Sequence, residues 1–101
     1  MTRYEILIPL NYNDKTEISQ ELLEVVPNAL RIAFGGFTNN GRVSGEWKSP
    51  DGKWWRCNLI RYTTDSGDFF APETLKRLKI VWKQVFKQED IYIVSYPINV
   101  I

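Results

Sequence analysis

From Trp47 to Trp55 the chain reads Trp-Lys-Ser-Pro-Asp-Gly-Lys-Trp-Trp, and no other stretch constrains the fold as much. Ser49-Pro50-Asp51-Gly52 is turn chemistry. Proline presets φ at the second position of a type I turn, and glycine suits the left-handed residue that closes a three-residue hairpin loop with a bulge. The preceding flank alternates, with Val43, Gly45 and Trp47 on one side and Arg42, Ser44, Glu46 and Lys48 on the other. The loop also sets the register. Ser49 faces Lys53, Lys48 faces Trp54, Trp47 faces Trp55, Gly45 faces Cys57 and Val43 faces Leu59. The small and apolar members of both strands then share one face, whereas a one-residue slip would mix Trp47 and Val43 with Arg56 and Asn58. That apolar face, carrying Trp47, Trp55 and Cys57, is expected beneath helices, with Trp54 on the opposite face.

The rest of the chain arranges itself around this hairpin. Tyr4 to Leu10 reads as a central strand, because Ile6, Leu7 and Ile8 are apolar on both faces. Asn11 to Asp14 is a turn. From Thr16 to about Ala33, apolar residues at 18, 22, 25, 26, 29, 30 and 33 follow a helical period, with Thr16 as the expected N-cap. Pro27 is expected to break or kink that helix, with a shorter piece restarting at Asn28. Gly35-Gly36 then stops it, glycine being the residue best suited to a left-handed C′ position. The third strand is expected from Lys53 to about Thr64, followed by the loop Asp65-Ser66-Gly67-Asp68. Pro72 suits the first helical position and Glu73 the first turn. Leu75, Leu78, Val81, Trp82, Val85 and Phe86 form an apolar stripe, and Ile91 to Val94 is the last strand. The order β-α-β-β-α-β predicts an α+β, ferredoxin-like sandwich over residues 1–101. Its antiparallel four-stranded sheet would have the order 4-1-3-2, with two helices on one face.

Three short segments carry a resemblance: Phe34-Gly35-Gly36-Phe37-Thr38, Gly45-Glu46-Trp47 with Asp51-Gly52, and Phe86-Lys87-Gln88-Glu89-Asp90-Ile91. In this order they resemble small uncharacterised bacterial proteins of ferredoxin-like type, with an F-G-G-x-T segment after the first helix, a G-x-W strand and an F-x-Q-E-x-I/V junction. The resemblance spans about residues 4–95. It implies the same fold and carries no activity.

Composition removes several chemistries. The chain has no His, which excludes His-based acid–base catalysis and His metal ligands, and its one Cys cannot close an internal disulfide. The single Cys fits a reducing compartment and a cytoplasmic protein. The apolar run Ile6 to Leu10 is too short for a secretory core of about 7 residues or a membrane span of about 20. No metal and no cofactor are expected. Asp14 lies at the opposite sheet end from Asp65 and Asp68, and two carboxylates make a poor cation site. Cys57, placed in the core, lacks the exposed basic setting of a nucleophile. The glycines at 35 and 36 end a helix rather than open one, so they form no phosphate loop. They share an end of the fold with the second loop, which makes Gly35, Gly36, Thr38, Asn39, Asp65 and Asp68 candidates for a polar small-ligand or enzymatic site.

The net charge of +1 conceals an asymmetry. Residues 1–30 hold two basic against five acidic side chains, −3. Residues 72–88 hold five basic against one acidic, +4, with Lys76, Lys79, Lys83 and Lys87 in one stripe. A sheet covered by helices on one side leaves its other side open, and that face is expected to show Leu7, Arg42, Ser44, Glu46, Lys48, Trp54, Arg56, Asn58, Ile60, Tyr62, Tyr92, Val94 and Tyr96. Leu7, Glu46, Trp54, Arg56, Asn58, Tyr62 and Tyr92 are therefore the candidate contact residues. The expected function is a non-enzymatic binding or assembly module, most simply a homodimer in which two copies bury this patch. An alternative is single-stranded nucleic-acid binding by the aromatic and Arg side chains with the basic helix, although Lys53-Trp54-Trp55-Arg56-Cys57 lacks the RNA-recognition strand pattern.

Overall fold

The computed structural model describes residues 1–101. Its elements are β1 (Thr2–Pro9), α1 (Gln20–Leu23), α2 (Val25–Phe34), β2 (Thr38–Lys48), β3 (Trp54–Ser66), α3 (Ala71–Val85) and β4 (Tyr92–Pro97). The sheet order is β2-β3-β1-β4, and every pairing is antiparallel. This is the ferredoxin-like α+β sandwich. No helix is long and apolar enough to cross a membrane.

The hairpin pairs as its turn dictates. Lys48 lies opposite Trp54, Trp47 opposite Trp55, Gly45 opposite Cys57 and Val43 opposite Leu59. Ser49 N–H donates to the Lys53 carbonyl at 2.8 Å, and Gly52 takes φ +85°. Glycine adopts that conformation without the clash that a Cβ would bring. Asp51 accepts from the Ser49 hydroxyl and from Lys53 N–H, and these two bonds hold its carboxyl below the ordinary carboxylate range. Closer to the body, β2 carries a bulge. Asn39 lies opposite Tyr62 and Arg42 opposite Ile60, so Asn40 and Gly41 together oppose Arg61. Gly41 takes φ +85° there.

The first helical region starts later than expected. Thr16 is not the cap. It is held in a tight turn by Asp14, which accepts from its N–H and hydroxyl, and Tyr12 N–H donates to its carbonyl. Ser19 is the cap, its hydroxyl accepting from Leu22 N–H at 3.2 Å. The break also falls earlier, at Glu24 rather than Asn28. The cause is still Pro27, which has no N–H to give Leu23, four residues back, and whose ring crowds that carbonyl. Pro27 itself is the third residue of α2, among positions whose N–H groups have no intrahelical acceptor. Gly35 ends α2 at φ +79°, as a glycine stop requires. In α3, Pro72 is the second residue rather than the first, and Asp68 accepts from Phe70 N–H just ahead of it.

The core lies between the helices and one face of the sheet. Tyr4, Ile6 and Ile8 of β1 meet Val26 and Leu30 of α2, Leu75 and Trp82 of α3, and Phe86 and Ile91 beyond it. Val81, expected in the buried stripe of α3, is exposed. Thr64 is buried and its hydroxyl donates to the Gly36 carbonyl at 2.8 Å, tying β3 to the glycine stop.

The core also decides which face of the hairpin is which, and it reverses the expectation. Ile8 pairs with Ile60, Ile6 with Tyr62 and Tyr4 with Thr64. Side chains alternate along a strand, so Trp54, Arg56, Asn58, Ile60 and Tyr62 lie on the helix side, with Arg42, Ser44, Glu46 and Lys48 of β2. Trp55, Cys57 and Leu59 point to the bare side, with Val43, Gly45 and Trp47. The trap was Leu59-Ile60. Both are apolar, so alternation reveals two faces without saying which one the helices cover.

Candidate functional site

The bare sheet face divides into two halves. Over the body it is polar. Arg3 holds Asp65 in a two-pronged ion pair, Nε to Oδ1 at 2.8 Å and Nη2 to Oδ2 at 3.0 Å. The pair lowers the Asp65 pKa, with partial desolvation opposing, and raises that of Arg3. Tyr96 donates to Glu5 at 3.1 Å. Arg61 lies opposite Leu7, and its buried Nε has no partner.

Toward the hairpin the same face is apolar. Leu7 and Pro9 of β1, Leu59, Cys57 and Trp55 of β3, and Val43, Gly45 and Trp47 of β2 follow one another across it. Tyr92 and Val94 extend it on β4, opposite Leu7 and Glu5. No helix covers this surface. Trp47 and Trp55 stack with ring centroids 6.0 Å apart and planes 16° apart, yet remain 51% and 41% exposed. With its aliphatic neighbours the pair forms an open apolar patch that no other part of the chain covers.

The expected contact set is thus split three ways. Leu7 and Tyr92 are on the bare face, as predicted. Glu46, Trp54, Arg56 and Asn58 are on the other face of the hairpin. There Arg56 donates to Glu46 through Nε at 2.9 Å and Nη2 at 2.6 Å, and Trp54 is 69% exposed. Tyr62 is core, 5% exposed and edge-on to Phe37. The apolar bare-face residues absent from the expected set include Trp47, Trp55, Cys57, Leu59 and Val43. Their signal was present in the hairpin alternation but was assigned to the wrong side.

Of the three residues expected to stack on nucleic acid, Trp54 and Arg56 are exposed on the helix-side face of the hairpin, while Tyr62 is buried in the core. The lysine stripe is also largely engaged. Lys79 bonds Asp90 at 2.9 Å and depresses its pKa, Lys76 bonds Glu73 at 3.2 Å, and Lys87 lies 5.6 Å over the Tyr12 ring.

At the glycine end, Gly35, Gly36, Thr38 and Asp65 line a shallow recess of about 280 Å³ with Thr63 and Thr64. Asn39 and Asp68 are not part of it; Asn39 accepts from Gly41 N–H and Asp68 accepts from Phe70 N–H in the turn ahead of α3. No three His, Cys, Asp or Glu side chains come together anywhere in the chain.

Solved structures share this architecture. A phage SAM lyase in complex with S-methyl-5′-thioadenosine superposes with a TM-score of 0.66 at 19% identity, over 94% of this chain and 79% of the lyase. The divalent cation tolerance protein Cut A1 from Thermus thermophilus gives 0.67 at 15% identity, over 97% and 84%. The same type of lyase in its apo state gives 0.63 at 17%, over 94% and 78%. At these identities the likeness is one of fold. No protein-family model and no curated protein sequence matches the chain.

Proposed function

We propose that this chain is an assembly module whose bare sheet face is covered by a second copy of itself. The observation that carries this reading is the stacked, open Trp47–Trp55 pair continuous with Leu59 and Leu7 on a face no helix reaches. A two-fold axis through that face would set each apolar half against its counterpart, the self-complementary contact of a symmetric dimer. Trp and Tyr are also the residue types that concentrate binding energy at interfaces. The paired ions over the body stay at the rim, where they steer orientation at little desolvation cost.

Sedimentation velocity over a concentration series tests it. Wild-type protein is expected to sediment as a dimer in the micromolar range. Trp55→Glu is expected to sediment as a folded monomer, with an unchanged far-ultraviolet circular dichroism spectrum. Cys57 lies within the patch, so its thiol should react with an aromatic disulfide reagent more slowly in the dimer than in the Trp55→Glu monomer. A wild-type monomer at high micromolar concentration, with Cys57 reacting equally in both proteins, would overturn the reading.

A further inference from the structure

The opposite face of the hairpin holds a second feature, which does not depend on assembly. Where the hairpin leaves the body, its helix-side face overhangs the loop between β1 and α1. Together they enclose an open cleft of about 760 Å³, within the size range of small-molecule sites. Ile18 and Ile60 supply apolar lining. Glu17 comes from the loop, Arg42 and Asn58 from the sheet, and Tyr62 from the core.

The loop side is built in advance. Leu10 N–H donates to the Asn58 carbonyl at 2.9 Å, Ile18 N–H donates to the Leu10 carbonyl at 3.0 Å, and Asn11 and Glu17 form an isolated bridge. Asn11, Ser19 and Gln20 on the loop side are bonded locally, but four other polar groups lining the cleft are unclaimed. Arg42 and Glu17 line one cavity and yet enter none of the four ion pairs of the chain. The Asn58 amide and the Tyr62 hydroxyl have no hydrogen-bond partner in the chain. Burial, together with the nearby charge of Glu24, raises the Tyr62 pKa, so its phenol stays neutral and able to donate. Further out on the same face, Arg56 and Glu46 do find each other.

We propose that this cleft binds a small zwitterion with an apolar body, its anionic group on Arg42, its cationic group on Glu17 and its body against Ile18 and Ile60. A guanidinium takes a carboxylate or phosphate in a charge-assisted, fork-like contact. A plain anion would also meet Glu17, and a plain cation would meet Arg42. A ligand bearing both charges satisfies both sides of the cleft, and Asn58 and Tyr62 remain to orient it.

The test is a nuclear magnetic resonance titration of the full chain with two zwitterions of different charge separation, L-phenylalanine and 6-aminohexanoate. Phenylacetate and phenethylamine serve as single-charge controls. At least one zwitterion is expected to shift the Asn58 side-chain amide and Arg42 Nε resonances saturably, with the controls about tenfold weaker or more. Arg42→Gln and Glu17→Gln should each weaken that binding about tenfold while leaving the rest of the spectrum in place. The proposal is overturned if neither zwitterion shifts these resonances at about 10 mM, if a control binds as well, or if both variants bind as wild type. Repeating the titration on the Trp55→Glu monomer separates this site from the assembly reading, which can fail without it.

Discussion

Trp82 and Trp55 present the same large apolar ring, yet Trp82 is 1% exposed and Trp55 41%. Trp82 lies in the body, where α2 and α3 cover the sheet. Trp55 lies out on the hairpin, on the sheet face that no helix covers, with Trp47 beside it and Trp54 on the other side. Three of the four tryptophans are therefore outside the core. Apolar content fills a core only where a second layer reaches it. Beyond that limit the same residue types are left as open apolar surface.

The most severe way to break the contrast is to truncate both rings. Trp82→Ala should cost about 3–5 kcal/mol of folding stability. Trp55→Ala in the monomer should cost under about 1 kcal/mol, since it deletes no core contact. Urea denaturation at low protein concentration measures both, and equal losses would show that the hairpin belongs to the core after all.

The glycines give a second pairing of the two regions. Gly35 and Gly52 both have φ near +80°, the first ending α2 and the second closing the hairpin. Gly35→Val should lower global stability by about 1–2 kcal/mol or more, because a β-branched residue strains that conformation. Gly52→Val should instead raise amide exchange over residues 45–57 with a smaller change in Tm. Uniform loss of protection across the chain in both variants would remove the distinction between hairpin and body.

The stacked indoles predict a coupling. In a double-mutant cycle, Trp47→Ala and Trp55→Ala should be non-additive by about 0.5 kcal/mol, read from urea denaturation of the monomer. Strict additivity would mean that neither ring supports the other.

The smallest expected effect is electrostatic. Asp65 titrates below its ordinary value because Arg3 bonds its charged form. A depressed folded pKa stabilises the fold above the unfolded value near 3.8 and loses that contribution as pH falls through the folded value. Wild-type Tm should thus decline modestly below about pH 4, and Asp65→Asn should flatten that decline. Asp51 is shifted in the same direction but sits in the hairpin loop, so Asp51→Asn should leave the Tm profile nearly unchanged. An identical flattening in both variants would contradict the difference between the regions.

Most of the fold was legible because it rests on local rules. The Pro50-Asp51-Gly52 loop set the register, Gly35 stopped a helix, and the β-α-β-β-α-β order set the topology. The helix start was misplaced because Thr16 and Ser19 are both acceptable caps, and only the tight turn around Asp14 decides between them. The candidate site was legible as a pattern but not as a side. Period-two alternation groups Trp47, Trp55, Cys57 and Leu59 correctly, and it groups Trp54, Arg56, Asn58 and Tyr62 correctly too. Which group faces the helices is settled by the pairing of Ile60 and Tyr62 with Ile8 and Ile6, a contact more than fifty residues apart in sequence. The cleft at Arg42 and Glu17 left no sequence signature, since a lone Arg and a lone Glu on separate elements read as ordinary surface.

The bulge at Asn40 and Gly41 gives the hairpin the mechanics of a lever. A bulge bends its strand and adds right-handed twist. Beyond it, the seven residues from Arg42 to Lys48 span roughly 20 Å at about 3.3 Å each. A change of about 20° at the pivot, comparable to one step of sheet twist, would swing the tip by roughly 7 Å. Deleting Asn40 would leave four residues between Asn39 and Gly45 facing the four from Asn58 to Arg61 one for one, with every side chain of the tip retained and its aim altered. A single-residue deletion here is therefore a change of direction rather than of surface chemistry. Chains with identical tips could then dock at different angles, and such geometry would diverge through insertions and deletions sooner than through substitutions.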